Sequence, residues 1–411
     1  MELLTLSRNV LEEIIIHERP FYLASKDCFK KHNTLEKSQR AFITAIVGCS
    51  LRHKLAYDEF IKNQIGELSI SDSLGLYLCF SDFLYLKKCY IDDLLLVAVN
   101  DNVTKDKVSN ILEYLKDNPL IDAQYSKDSN EYLSLRYNTP LWLVKMFRKH
   151  YKERITYLLL KSLSHASMDY ALNISANVLS RDFESTEIDN LYRYVGNLPF
   201  AFHPFKKEKQ VVWSFPALLE MINDIDIDSL KGLAYYSEVG EAYYLSLLAK
   251  LSPSMHGDFL FSDFPSTYNA KKNKTEYGLK NANVYQIEKG QFLSILSNKV
   301  HTFILFPESS NFNLLRATPD YFLRFKQEQL DGLIANQMHI LNEASDFVED
   351  GGQIVYAVPT ISFKESHGVV SNFLNNHRDF SLINEKQYMP FDNKDSVFYY
   401  AILEKTRKYE D

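Results

Sequence analysis

The chain has 411 residues, of which 46% are apolar and 24% charged, so it is long enough to bury two or three separate hydrophobic cores. Its 46 basic and 53 acidic side chains give a net charge of −7, which argues against tight, nonspecific nucleic-acid binding but leaves room for a local basic patch. No apolar run approaches the roughly 20 residues of a membrane-spanning helix, and acidic residues stand where a signal peptide carries positive charge. We therefore expect a cytoplasmic protein that acts on neither membrane nor DNA.

The cysteines all lie near the start of the chain: Cys28, Cys49, Cys79 and Cys89. They form no CxxC pair and have no neighbouring histidines at zinc-ligand spacing, so neither a disulfide framework nor a metal site is predicted. We expect reduced, mostly buried thiols. The rest of the chain contains no thiol that could act as a nucleophile.

Residues 1–130 have the pattern of an all-helical bundle. Between residues 38 and 61 apolar side chains recur at intervals of three and four, and two later segments repeat this pattern after a residue that can cap a helix. Arg40, Arg52 and Lys54 lie on or near the first of these helices and could contact RNA phosphates. A solvated helical face is the commoner role of such residues.

Residues 131–228 are predicted to form a linker helix and a small α+β domain. The helix is amphipathic and begins after a turn at Asn138, Thr139 and Pro140. Beyond it, the strand-like segments "DYALNISANV" and "QVVWSF" are separated by the helical segment "STEIDNLYRYV". We therefore place a small mixed domain between the helical bundle and the rest of the chain.

Residues 229–411 alternate between strands and helices, which predicts a parallel, doubly wound, Rossmann-like sheet. The longest predicted helix runs from residue 321 to residue 347. The predicted strands cover residues 258–263, 283–288, 301–306, 353–358 and 396–405. In such a sheet, ligands bind at the carboxyl ends of the strands.

Two acidic residues end neighbouring predicted strands of this sheet. Asp263 and Glu288 lie where Rossmann-like domains place carboxylates that contact the ribose and adenine of a cofactor, although capping the next helix is the commoner role. A cofactor loop would also need glycines before Asp263, so that the backbone can approach the ligand. That segment has one glycine, Gly257, and no predicted strand ahead of it, so the loop is predicted to be missing between Lys250 and Asp263.

Seven segments, in this order along the chain, carry a resemblance to one protein family. They are "RAFITAIVGCSLRHKLAYDEF", "NTPLWLVKMFRKHY", "LNISANVLSRD", "SDFPSTYNAKKNKTEYGLKNANVYQIE", "FPESSNFNLLRATPDYFLRF", "GGQIVYAVPTISFKES" and, at the end, "VFYYAILEK". The chain resembles the bacterial Sun-type (RsmB-like) ribosomal RNA cytosine-5 methyltransferases, whose N-terminal part is similar to the RNA-binding factor NusB. The resemblance implies a NusB-like helical bundle, a small α+β domain and a Rossmann-like methyltransferase domain.

The resemblance also implies which residues of this chain stand at the positions of the family's two catalytic cysteines. In active members one cysteine attacks C6 of cytosine, so that C5 can take the methyl group of S-adenosylmethionine, and a second cysteine helps to release the product. Pro359 stands at the position of the first cysteine and Glu308 at the position of the second. Proline has no nucleophile, and a carboxylate replaces a thiolate poorly in reversible addition to a pyrimidine. Only Asp263 and Glu288 keep the cofactor-contacting character that the resemblance assigns to their positions.

Three functions remain open from the sequence. The leading one is a pseudoenzyme without catalytic residues or cofactor, which binds ribosomal RNA or a ribosomal particle. A second is a protein-interaction module that partners an active enzyme, which the negative net charge favours. A third is an active S-adenosylmethionine-dependent RNA methyltransferase with divergent motifs, or a changed chemistry that uses Glu308 as an acid or base. A basic cluster on one face would favour the first over the second, and an open, glycine-lined pocket beside Asp263 would favour the third.

Overall fold

The computed structural model describes two units of the chain. It covers every residue except 123, 176, 178, 226–231, 241–242, 251–255, 279, 281, 293–294, 297, 393–394 and 407–411. The first unit consists of residues 1–165 and 314–327, and the second of residues 166–313 and 328–411. The predicted domain boundaries near residues 130 and 228 stay predictions. Over the part of the chain that is described, no helix is both long enough and apolar enough to cross a bilayer.

The first unit is helical in its regular structure, which confirms the predicted bundle. Its helices are α1 (Glu2–Ile15), α2 (Phe21–Lys31), α3 (Lys37–Arg52), α4 (Lys54–Gln64), α5 (Ile70–Ser81), α6 (Ile91–Ala98), α7 (Lys105–Asp117), α8 (Asn130–Arg136), α9 (Leu141–Leu163) and the short α14 (Tyr321–Arg324). A π-helical turn at Asp82–Leu86 follows α5 directly. Helix α9 is interrupted at Lys152, whose φ of 60° and ψ of 179° are not helical.

Local sequence explains where several of these helices begin and why they pack together. Ser69, Thr104 and Ser129 precede α5, α7 and α8, and each hydroxyl accepts a hydrogen bond from the backbone N–H three residues later. The apolar side chains at intervals of three and four in α1, α3 and α5 are almost fully buried in one core. Burial of these apolar faces is therefore what holds the unit together.

The second unit begins with a small antiparallel sheet, as the predicted α+β domain requires, but the segment "STEIDNLYRYV", which was predicted to be helical, contains a strand at Leu191–Tyr194. Its strands are β1 (Tyr170–Asn173), β2 (Phe183–Ser185), β3 (Leu191–Tyr194) and β4 (Val211–Ser214), in the order β2-β3-β1-β4. Helices α10 (Pro204–Lys207) and α11 (Pro216–Asp224) flank β4 in the sequence.

A seven-stranded sheet forms the larger part of the second unit. Its strands are β5 (Leu233–Ser237), β6 (Gly257–Phe261), β7 (Ala282–Gln286), β8 (Val300–Phe306), β9 (Val348–Val358), β10 (Phe380–Tyr388) and β11 (Phe398–Lys405). Helices α12 (Tyr244–Lys250), α13 (Phe264–Glu276), α15 (Gln329–Asp346) and α16 (His367–Asn376) connect them. The strand order is β10-β11-β9-β8-β5-β6-β7. The five strands β5 to β9 run parallel, and β10 and β11 pair antiparallel at one edge, so the order reverses between β5 and β8.

The sequence analysis missed two strands of this sheet, and it predicted one long helix where the structure has two shorter ones. Strand β5 was not predicted, although it lies at the centre of the sheet, because all five of its residues are buried and the alternation that marks a half-buried strand is absent. Strand β10 was also missed. The single long helix predicted from residue 321 to residue 347 is two helices, α14 and α15, since Phe325 has an extended backbone with φ of −92° and ψ of 122°.

Candidate functional site

The carboxyl ends of the parallel strands bring together the residues that carry the family resemblance. Asp263 follows β6, Glu288 follows β7, Glu308 follows β8 and Pro359 follows β9. The reversal of strand order between β5 and β8 lies at this same edge, which is where open α/β sheets bind their ligands. The sequence therefore placed these four residues at the correct edge of the sheet.

The two predicted cofactor-binding carboxylates each have a local structural role. Asp263 caps α13, because its Oδ1 accepts a hydrogen bond of 2.8 Å from the backbone N–H of Ser266. Glu288 is exposed, and its Oε2 accepts a hydrogen bond of 2.8 Å from Nε2 of Gln291. The contact of either residue with a cofactor stays a prediction.

A strand and a turn lie ahead of the segment that was expected to lack a cofactor loop. Strand β5 precedes it, so the expectation of no strand before Gly257 was wrong. The turn from Ser237 to Gly240 follows β5, and Gly240 has a φ of +79°, a conformation that suits glycine. The side-chain hydroxyl of Ser237 accepts a hydrogen bond of 3.2 Å from the N–H of Val239 and donates one of 2.9 Å to the carbonyl of Gly240. Residues 251–255 of the predicted gap lie outside the described residues.

Glu238, at the beginning of this turn, has a buried carboxylate. Its side chain is only 1% exposed. Its Oε1 accepts a hydrogen bond of 3.0 Å from the hydroxyl of Tyr236, and its Oε2 accepts one of 2.6 Å from Nδ2 of Asn336 and one of 2.9 Å from the N–H of Glu308. Nζ of Lys289 lies 3.6 Å from Oε1. Glu238 therefore ties the ends of β5 and β8 to α15, a role that no sequence motif indicated.

Glu308, which stands at one family cysteine position, lies on the surface in an ion pair. Its carboxylate is 53% exposed, and its Oε2 is 3.0 Å from Nζ of Lys289. An exposed carboxylate paired with a lysine is not in the buried environment that catalytic acids and bases commonly occupy. The geometry gives Glu308 a surface role.

Beneath this turn lies a buried polar network that the sequence did not reveal. Oε1 of Glu365 accepts a hydrogen bond of 2.7 Å from the N–H of Ser310 and one of 3.2 Å from Nε2 of Gln337. The hydroxyls of Ser310 and Thr360 are 2.7 Å apart. The network joins the turn after β8 to the turn after β9. Burial raises the pKa of the Glu365 carboxyl above its ordinary value, although its hydrogen bonds with Ser310, Gln337 and Ser362 oppose that shift.

This network predicts a pH-dependent effect of Glu365→Gln on stability. The pKa of Glu365 is higher in the folded chain than in the unfolded chain, so its ionisation lowers the free energy of unfolding as the pH rises above the ordinary carboxyl value of 4.5. Glutamine keeps an acceptor for Ser310 and Gln337 but cannot ionise. The melting temperature of the variant, relative to wild type, is therefore expected to increase between pH 5 and pH 8.

Thermal melts of both proteins at the two pH values test this. Glu404→Gln is the matched control, since it removes a carboxylate from an exposed position in the same unit. A wild-type advantage over Glu365→Gln that grows toward pH 8 would contradict the expected sign.

Pro359, at the other family cysteine position, is buried and lines a small cavity. The cavity has a volume of about 50 Å³, and its wall includes Trp213, Asn313 and Asp395.

Every cysteine of the chain lies in the first unit, and burial raises the pKa of Cys79 to about 12 and that of Cys89 to about 11. Among the described residues, no group of three or more His, Cys, Asp or Glu side chains could hold a metal ion.

Of the three predicted RNA-contacting residues, two bind their own neighbours. Arg40 donates hydrogen bonds of 3.0 Å to the carbonyls of Leu35 and Asn33, and Nζ of Lys54 is 2.6 Å from Oδ2 of Asp58. Arg52 instead lines a cleft of the first unit. Their contact with RNA stays a prediction.

The seven-stranded order, with its parallel core and antiparallel edge, makes the larger part of the second unit a Rossmann-like domain. Residues 266–403 match the family model described as 16S rRNA methyltransferase RsmB/F. Residues 266–403 are therefore similar to the methyltransferase domain of the RsmB/F family, which confirms the resemblance seen in the sequence over this part of the chain.

One curated protein and several solved structures are similar to parts or to the whole of this chain. Ribosomal RNA small subunit methyltransferase B of Thermus thermophilus is 37% identical over 65 residues, a match that spans only 16% of this chain and 16% of that protein. The structure of PH0851 has a TM-score of 0.75 at 16% identity and covers 98% of this chain and 99% of its own. NSun6 from Pyrococcus horikoshii has a TM-score of 0.55 at 10% identity, covering 66% and 99%. The two structures share the fold with this chain.

Proposed function

We propose that this protein is a noncatalytic RsmB/F-type factor that binds ribosomal RNA or a ribosomal particle in the cytoplasm. The observation that carries this proposal is the replacement of both family cysteines by Glu308 and Pro359, in a unit that has no cysteine at all. Covalent addition to a pyrimidine needs a nucleophile of thiolate character, and neither residue supplies one. The retained scaffold would then serve recognition alone.

The residues at the carboxyl edge of the sheet fit S-adenosylmethionine poorly. Glu238 occupies the turn after β5 with both oxygens already accepting hydrogen bonds. A ribose hydroxyl of the cofactor at this turn would have to displace one of these buried donors. This arrangement supports a protein that works without the methyl donor.

An active methyltransferase is the second candidate, and the surface beside Asp263 favours it. Phe264 is 66% exposed, and its ring packs against that of Tyr268 with 6.2 Å between centroids. An exposed aromatic face directly after a strand-end carboxylate could stack on an adenine. A direct binding measurement separates the two candidates.

Titration calorimetry of the full chain with S-adenosylmethionine provides that measurement. We expect no binding tighter than a Kd of about 1 mM, equivalent to about −4 kcal/mol. Asp263→Asn is the companion variant, with its fold checked by a thermal melt. Micromolar binding by the wild type that Asp263→Asn weakens would establish the second candidate and remove the first.

RNA recognition is tested by ultraviolet crosslinking of the tagged protein in its native cell, followed by sequencing of the attached RNA. We expect ribosomal RNA to be enriched over an uncrosslinked sample. Recovery of proteins alone, without ribosomal RNA or ribosomal proteins among them, would contradict the proposal and favour a protein-interaction module.

A further inference from the structure

The first unit contains a large cleft whose wall is basic and aromatic. The cleft has a volume of about 610 Å³ and lies among the end of α3, the π-helical turn, the loop between α8 and α9, the second half of α9 and the segment before α14. Arg52, Arg136 and Lys161 are in its wall, and the described residues that line it include no aspartate or glutamate. This cation-only wall stands out in a chain whose net charge is −7.

The three cations are not neutralised by carboxylates of the described residues. Elsewhere in the unit basic side chains pair with acidic ones, as Arg19 does with Glu13 and Asp27. Arg52, Arg136 and Lys161 have no such partner within the described ranges, and all three are exposed. Like charges along one wall repel each other, and a polyanion in the cleft would remove that repulsion.

Aromatic rings lie beside these cations and are open to solvent. The ring of Tyr85 is stacked on that of His53, with 4.1 Å between centroids and 5° between planes, yet Tyr85 is 46% exposed. Tyr157 is 47% exposed and meets Tyr137 edge to face at 6.1 Å. Burial, together with the nearby Arg136 and Arg52, lowers the pKa of His53 to about 4, so this ring is neutral at pH 7. Exposed rings of this kind are the platforms on which unpaired bases stack.

The side chain of Asn138 fixes the position of one wall of the cleft through two hydrogen bonds to the backbone. Its side-chain oxygen accepts a hydrogen bond of 3.0 Å from the N–H of Leu55, and its side-chain nitrogen donates one of 2.8 Å to the carbonyl of Leu51. These bonds fasten the loop between α8 and α9 to the junction of α3 and α4. Arg52 and Arg136 therefore belong to a preformed wall, which lowers the entropic cost of binding.

We propose that this cleft binds a single-stranded segment of RNA, with Arg52, Arg136 and Lys161 on its phosphates and Tyr85 and Tyr157 stacked on its bases. This rests on the proposed function in that RNA is the partner, and it adds the site and the single-stranded form. A duplex hides the base faces that the two tyrosines would use, so the cleft should prefer unpaired RNA.

The test is fluorescence anisotropy of the full chain with a labelled oligouridylate and with a duplex of the same length. We expect wild type to bind the single strand more tightly than the duplex. The triple variant Arg52→Ala, Arg136→Ala, Lys161→Ala should bind about tenfold or more weakly. The slope of its log affinity against log salt concentration should be shallower than that of wild type by about 2, which corresponds to three phosphate contacts. Tyr85→Leu with Tyr157→Leu should weaken binding about tenfold and leave the salt slope unchanged.

A matched control removes the same charge from exposed positions outside the cleft: Lys37→Ala, Lys62→Ala, Lys105→Ala. All variants are first compared by thermal melt. If wild type binds RNA and the cleft variant binds no worse than the control, the cleft proposal is overturned while the proposed function stands. If wild type binds neither RNA, the cleft proposal is overturned, and the crosslinking experiment alone decides the proposed function. Equal binding of single strand and duplex would overturn the preference for unpaired bases.

Discussion

Replacing Gly75 with alanine is expected to destabilise the first unit by about 3 kcal/mol, the upper end of the usual range for overpacking. Gly75 lies within α5, where a β-carbon would overlap the carbonyl oxygen of Val97 and lie 2.9 Å from its carbonyl carbon and 3.1 Å from Cα of Ala98. These are backbone atoms of α6, so no side chain can rotate away and the two helices must separate. Urea denaturation followed by circular dichroism, with hydrogen exchange in α5 and α6, measures the loss.

Gly332→Ala is the matched control for this substitution. Gly332 also lies inside a helix, α15, but a β-carbon there would meet no atom within 4 Å. Alanine is favoured over glycine in a helix interior by roughly 0.5–1 kcal/mol, so this variant should be neutral or more stable. An equal loss of stability in both variants would show that close packing at Gly75 is not the cause.

Glu238→Ala is expected to destabilise the second unit by roughly 3 kcal/mol, because it leaves buried hydrogen-bond donors without an acceptor. The hydroxyl of Tyr236, Nδ2 of Asn336 and the N–H of Glu308 all donate to this carboxylate, whose side chain is 1% exposed. The turns after β5 and β8 should loosen together. Chemical denaturation gives the size of the effect, and hydrogen exchange of peptides that contain the ends of β5 and β8 locates it.

Lys289→Met separates the hydrogen bonds of Glu238 from its ion pair. Lys289 is 52% exposed and lies 3.6 Å from Glu238 and 3.0 Å from Glu308, so its removal should cost less than about 1 kcal/mol. A loss as large as that of Glu238→Ala would mean that charge pairing, rather than the buried hydrogen bonds, holds this edge of the sheet.

Much of the fold was predictable because its signals are local. Helices can be predicted here from only a few residues of sequence. The signals are the spacing of apolar residues in α3 and the capping hydroxyls of Ser69 and Thr104. Alternating strands and helices after residue 229 indicated the parallel sheet, and Asp263, Glu288, Glu308 and Pro359 do follow parallel strands of it. A strand end can be recognised from the chain immediately around it.

Strand β5 and the cleft were not predictable, for different physical reasons. A strand buried on both faces has no polar side to mark its period, and the two faces of β5 contribute Tyr235 to one core and Tyr236 to the other. The cleft depends on residues as distant in sequence as Arg52, Arg136 and Lys161, of which the sequence indicated only Arg52 as a possible RNA contact.

The helical bundle and the Rossmann-like sheet could be predicted from the sequence alone, because the spacing of apolar residues is a property of the chain itself. The burial of Glu238 and Glu365 at the edge of the sheet, and the three basic side chains that share one wall of a cleft, became visible only in the folded structure. Burial and charge pairing depend on which distant segments pack side by side, and packing is settled only when the whole chain folds.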